Sequence, residues 1–169
     1  DWENNWKQFY KPMEIGSRLL VVPEWEEAAD PTRVKLVLNP GLTFGTGSHA
    51  TTRLCLTALE EAVHGGETVL DLGCGSGILS VAAHMLGAED VTAVDIDPNA
   101  VRIAAENAEK NGFALHTGVG DVIGDAELSA RIGGEYDIIV ANIVADVIMG
   151  LAPMVRQFLK SGGLFLCSG

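Results

Sequence analysis

From Thr68 to Gly169 the chain alternates apolar runs of strand length with segments of helical period, and this alternation limits the fold more than any other feature. "TVLDL" and "VTAVD" have the length of buried strands, "ILSVAAHMLG" and "NAVRIAAENAEKNG" repeat apolar residues at helical spacing, and "YDIIVAN" and "GLFLC" are strands again. Strands that alternate with helices imply parallel pairing with helical crossovers, hence an α/β, doubly wound, mainly parallel sheet. Helix stops are expected at Gly87, at Asn111-Gly112 and at Gly162-Gly163. The texture before Thr68 differs. "DWENNWKQFY" reads as an amphipathic helix, and "RLLVV" and "RVKLVLN" read as short strands around "PEWEEAADP". The expected division is a helix and short β extension over 1–38 and a ligand-binding core over 39–169. Neither internal repeats nor low-complexity segments are visible.

At 169 residues and 47% hydrophobic composition, one domain with a real core is expected. No apolar run reaches the roughly 18 residues of a membrane helix, and a start at Asp1 does not resemble a signal peptide, so a soluble cytoplasmic protein without a membrane partner is expected. Cys55, Cys74 and Cys167 form no C-x-x-C pair, and His49, His64, His84 and His116 lack ligand spacing, so no metal is expected. A formal charge of −12 argues against non-specific binding of nucleic acid, which needs cations to neutralise phosphates, and permits a basic protein partner. The sequence ends at "LFLCSG", immediately after the fifth expected strand of the sheet, "GLFLC". An open edge there suggests that the final strands are missing and that flanking residues exist in the intact protein.

Chemistry concentrates in "VLDLGCGSGILS", residues 69–80. Gly73, Gly75 and Gly77 stand where a strand hands over to a helix, which lets a ligand lie against bare backbone at the carboxyl edge of the sheet. Twenty-two residues after Gly73, Asp95 closes the next strand, where a carboxylate can accept hydrogen bonds from both hydroxyls of a ribose. Two nucleoside cofactors fit. A dinucleotide uses G-x-G-x-x-G to seat its pyrophosphate on a helix N-terminus, whereas this chain has G-x-G-x-G with Asp71 two residues ahead. An anion at that place repels pyrophosphate and suits a ligand with an ammonium group. S-adenosyl-L-methionine is preferred on this ground; a nucleotide-binding oxidoreductase, or a cofactor-binding module without catalysis, stands as the alternative.

"LDLGCGSG", "VDIDPNAV" and "VANIVA" resemble motifs of class I S-adenosylmethionine-dependent methyltransferases. The stretch "NPGLTFGTGSHATT", with "ANIVADVIMGLAP" and "KPMEIGSRLLVVPEW", resembles the ribosomal protein L11 methyltransferase family over nearly the whole chain. That resemblance implies a seven-stranded, Rossmann-like methyltransferase sheet. It also implies methylation of lysine and N-terminal amino groups of a basic ribosomal protein of the large subunit. The cofactor contacts it implies are Thr52, Gly73, Asp95 and Asn142. Asn39 stands where the family typically has aspartate and Ala50 where it often has proline, and a separate N-terminal recognition domain of the family is absent from the sequence. A methyltransferase of another protein or of a small molecule is the nearest alternative.

The residues themselves suggest further roles. Methyl transfer from a sulfonium is an in-line displacement, so the acceptor needs a neutral amine held with its lone pair aimed. Asn142, ending the fourth strand, can accept hydrogen bonds from that amine and is the candidate catalytic residue. Thr51 and Thr52 open an apolar helix carrying Leu54, Leu56, Ala58, Leu59 and Ala62, whose free N–H groups and Thr52 hydroxyl make an anion site for the methionine carboxylate. Helix capping by the threonines is the competing role. Gly45 and its glycine neighbours let the loop fold over a ligand, and Phe44 either meets the sulfonium or covers the core. Asp121 either meets the adenine amino group or is simply a surface-loop aspartate, and Gly75 shares the backbone approach of Gly73. Glu106 and Lys110, at i and i+4, are expected to pair in solvent.

Overall fold

A computed structural model describes residues 11–39, 49–143 and 145–168. Among the described residues, eight strands and five helices run in the order β1 (Met13–Ile15), β2 (Leu19–Pro23), β3 (Val34–Leu38), α1 (His49–Ala62), β4 (Thr68–Leu72), α2 (Ile78–Leu86), β5 (Asp90–Asp95), α3 (Pro98–Lys110), β6 (His116–Val119), α4 (Ala126–Ile132), β7 (Tyr136–Asn142), α5 (Ala145–Phe158) and β8 (Leu159–Ser168). From β4 onward strand and helix alternate as the sequence pattern predicts. The expected helix over "DWENNWKQFY" and the roles of Phe44 and Gly45 lie outside the described residues.

The main sheet has five strands in the order β6-β5-β4-β7-β8, and every neighbouring pair in it is parallel. A second sheet joins β1, β2 and β3, with β1 antiparallel and β3 parallel to β2. Side chains alternate across the main sheet. Val69, Ile138 and Val140 face α1 and α2, whereas Leu70, Leu72, Ile139 and Ala141 face Leu128 of α4 and Leu151, Val155 and Phe158 of α5. Helices therefore cover both faces, the doubly wound arrangement.

Ile15, Leu19, Val21, Leu36 and Leu38 of the small sheet share the core formed by α1 and α2. Polar contacts reinforce that packing: Glu60 Oε1 accepts from the Ser17 N–H and hydroxyl, each at 2.9 Å. The Arg18 guanidinium donates to the Leu86 carbonyl at 3.3 Å and to those of Glu60 and Val63 at 3.5 Å. A cation at the C-terminal ends of two helices satisfies carbonyls that have no partner within the helix.

Local chemistry explains most helix limits. Asp97 caps α3 by accepting the Asn99 N–H, with Pro98 in the first turn. Asp125 caps α4 through the Leu128 N–H. Gly87 and Asn111 end α2 and α3 as predicted. Gly162-Gly163 does not end α5; the helix stops at Phe158 and both glycines lie within β8. Leu159 already pairs with Tyr136, the register shifts, and pairing resumes with Leu164 against Ile138, so the glycines serve a bulge. The expected Glu106–Lys110 pair is also absent: Glu106 takes Arg102 at 2.8 Å, and Lys110 reaches Glu24 at 3.1 Å. Packing of α3 against the small sheet brings that better partner within range.

Candidate functional site

In chain order the strands proceed outward from β4 through β5 to β6, then return to β7 on the other side of β4. The strand order therefore reverses between β4 and β7, and helix connections diverge there, leaving a crevice at the carboxyl ends of the strands. A cleft of about 360 Å³ opens at this edge, lined by Gly73, Asp95 and Asp121 with apolar Leu72, Val94, Ile96, Val122 and Ile143. Three of the predicted ligand residues thus converge from three separate strand ends. Ile96, Val122 and Ile143 were not singled out in the sequence. A residue directly after a strand-end acid was the available signal for Ile96.

The glycine turn is built by backbone conformations that side chains resist. Gly73, Gly75 and Gly77 have φ of 73°, 53° and 83°. A Cβ on Gly73 would overlap Ile143 Cγ2, so the residue after Asn142 closes directly over the turn. The N–H of Gly75 donates to Asp95 Oδ2 at 3.0 Å, and the N–H of Asp97 donates to Oδ1 at 2.9 Å. Both carboxylate oxygens are fixed in place, and each keeps a second lone pair for a ligand.

Asp71 behaves differently from the acid expected at the mouth of the turn. It lies inside β4 with no exposed surface. Ser80 of α2 donates its hydroxyl to Oδ2 at 2.7 Å, and Oδ1 is buried without a hydrogen-bond partner. Burial pushes its carboxyl from an ordinary 3.8 up to about 7, the Ser80 hydroxyl opposing and the charge of nearby Asp95 reinforcing the rise. Strand alternation is the cause: the side chain before Leu72 must point into the layer of α1 and α2.

On that same face, Asn142 at the end of β7 meets Thr52 of α1, Nδ2 donating to Oγ1 at 2.9 Å. These residues are ninety positions apart in the chain. Thr52 is buried, in the first turn of α1. Its hydroxyl accepts from Asn142 and so retains its own proton, while Asn142, half-buried, retains Oδ1. Asp121 is exposed and lines the cleft. It also caps its own loop, Oδ1 accepting the Ile123 N–H at 2.9 Å. The buried stripe of α1 is Thr52, Cys55, Leu56, Leu59; Leu54, expected inside, is 65% exposed because it lies on the opposite face. No group of acids, cysteines and histidines among the described residues can hold a metal, and no described helix is long and apolar enough to cross a membrane.

A family profile described as "Ribosomal protein L11 methyltransferase (PrmA)" matches residues 1–169. Proteins named ribosomal protein L11 methyltransferase are similar over the full chain, at 49% identity in Pelotomaculum thermopropionicum and 48% in Symbiobacterium thermophilum. The chain spans about half of each, 54% of their length. The crystal structure of a ribosomal protein L11 methylase from Lactobacillus delbrueckii subsp. bulgaricus superposes with a TM-score of 0.82 at 35% identity, over 95% of this chain and 80% of that one. A SAM-dependent methyltransferase from Thiobacillus denitrificans, solved with S-adenosyl-L-homocysteine, shares the fold at a TM-score of 0.56 and 23% identity, over 68% of this chain and 47% of that one.

Proposed function

The chain belongs to the ribosomal protein L11 methyltransferase family, and from that premise we propose that it transfers methyl groups from S-adenosyl-L-methionine to amino groups of ribosomal protein L11, on lysine side chains and the N-terminus. The observation that carries this reading is the Thr52–Asn142 hydrogen bond beside the glycine turn. It supports the reading because the Thr52 hydroxyl keeps a proton for an anion and Asn142 keeps Oδ1 for an amine, near the strand edge that also holds Asp95.

The residues fit the donor. The cleft offers apolar Ile96 and Val122 to the adenine faces, the free lone pairs of Asp95 to the ribose hydroxyls, and Asp121 to the adenine amino group. Thr52 has a proton left for a carboxylate at the start of α1, where the helix dipole also favours an anion. Asp71, with no exposed surface and its Oδ1 enclosed, lies too deep to meet the donor's ammonium group directly. Bound there, S-adenosyl-L-methionine supplies a sulfonium methyl open to in-line displacement.

The protein's part in the reaction is placement. Asn142 Oδ1 accepts a hydrogen bond from the incoming amine and aims its lone pair, while Thr52 holds the amide in that rotation. A lysine entering the half-buried strand edge loses water, which favours its neutral, nucleophilic form. The test is incubation of the full-length protein with labelled donor and purified ribosomal protein L11, with single-turnover rates for wild type and Asn142→Ala. Label should enter lysines and the N-terminus, and Asn142→Ala should slow transfer more than it weakens donor binding. Absence of label from the wild-type reaction overturns the reading.

A further inference from the structure

Five polar or charged side chains are buried among the described residues: Thr52, Asp71, Ser76, Ser80 and Asn107. Four belong to the site or its turn. Asn107 lies on α3, away from the cleft, yet its amide is fully used. Oδ1 accepts the Asn39 N–H at 2.9 Å, and Nδ2 donates to the Asn39 carbonyl at 2.9 Å and to the Ser76 carbonyl at 2.8 Å. Backbone partners of fixed polarity determine which way the amide points.

Asn111, one helical turn on, makes a similar pair of bonds to Val37, at 2.9 Å from its N–H and 2.7 Å to its carbonyl. Together the two amides act on the outer edge of β3 as a neighbouring strand would, meeting alternate residues. Only Asn107 also reaches the glycine turn. Ser76 follows Gly75, whose N–H holds Asp95 Oδ2. On its other side, a Cβ on Gly77 would stand 2.8 Å from Ala104 Cβ and 2.9 Å from Ala104 Cα. The small Ala104 lets the α3 backbone press against the turn, and Asn107 then ties it by a hydrogen bond.

We infer that Asn107 is a positioning residue for the donor site: by holding the Ser76 carbonyl it sets the glycine turn, and through Gly75 the orientation of Asp95. The inference rests on the donor reading above. Because its bonds at position 39 are to main chain, asparagine or aspartate there serves it equally. A purely structural asparagine that satisfies the edge of β3 would do no more than Asn111 does, which makes Asn111 the control.

The experiment measures donor affinity by calorimetry, melting temperature, and steady-state KM and kcat for the full-length protein. Asn107→Asp keeps an acceptor for the Asn39 N–H but loses both donations; Asn107→Ser is the second variant should the first fail to fold. Either should weaken donor binding about ten- to a hundredfold, raising KM for the donor with kcat at saturation little changed. Asn111→Ser should lower the melting temperature comparably and leave donor affinity within about twofold. Wild-type affinity in the folded Asn107 variants, or equal loss of affinity in Asn111→Ser, overturns the inference. Failure of the wild type to bind the donor is a separate result, which overturns the donor reading and this inference with it.

Discussion

Asp71 and Asp95 come from adjacent parallel strands, and burial separates their chemistry. Asp95 is half-buried and lines the cleft, with both oxygens held by backbone N–H groups. Asp71 is enclosed, with one oxygen on Ser80 and the other unpaired. Its carboxyl is raised to about 7, so the native state keeps a proton that the unfolded chain has already released above an ordinary value of 3.8. Between these values the native state binds more protons than the unfolded one, so this group makes the protein less stable as pH rises, the loss becoming complete above about 7. Asp71→Asn is neutral at every pH and keeps an oxygen for Ser80. Its melting temperature should match wild type near pH 4 and exceed it by several degrees near about pH 8. Parallel melting curves across that range would show that Asp71 titrates normally.

At the scale of elements, α1 decides where the two halves of the site meet. Its period of 3.6 residues puts Thr52 on the stripe shared with Cys55, Leu56 and Leu59, and that stripe packs against β7 and β8. Thr52 thereby faces Asn142, and accepting from Nδ2 leaves its hydroxyl proton free, which the proposed reading gives to the methionine carboxylate. Thr52→Val is expected to cost S-adenosyl-L-methionine about 1–2 kcal/mol of affinity, and decarboxylated S-adenosylmethionine distinctly less, since it keeps the sulfonium and nucleoside but not the anion. Titration calorimetry with both ligands decides it. Equal losses would assign the hydroxyl to Asn142 alone. β8 teaches a different lesson about elements: Gly162-Gly163 looks like a helix stop in sequence, yet α5 ends four residues earlier because Leu159 finds a pairing partner in Tyr136.

Over the whole molecule, the chain carries a formal charge of −12, and the proposed substrate of its site is a basic protein. Exposed acids of one sign raise the local concentration of a basic partner at low ionic strength, and salt screens that attraction. KM for ribosomal protein L11 should therefore rise with added salt, while the affinity for the donor, held by buried and hydrogen-bonded groups, changes little. A KM that does not respond to salt would exclude electrostatic steering. The small sheet is part of the same body as the site: β1 to β3 contribute to one core with α1 and α2, and Arg18 ties the ends of both helices.

Sequence alone determined the alternating elements, the parallel sheet, the turn glycines and Asp95, because each depends on short-range rules: hydrophobic period, chain reversal through positive φ, and an acid at a strand end. It also carried the family resemblance, through motifs contiguous in the chain. Tertiary structure decided what contiguous residues cannot express. Asp71 became buried because strand alternation turned it toward α2, Leu54 faced solvent because α1 rotated Thr52 inward, and Lys110 left Glu106 for Glu24 because α3 packs against the small sheet. The Thr52–Asn142 bond and the hold of Asn107 on Ser76 span ninety and thirty-one positions. No local pattern encodes such pairs, since only the packing of α1 and α3 on the sheet brings their atoms within hydrogen-bonding distance.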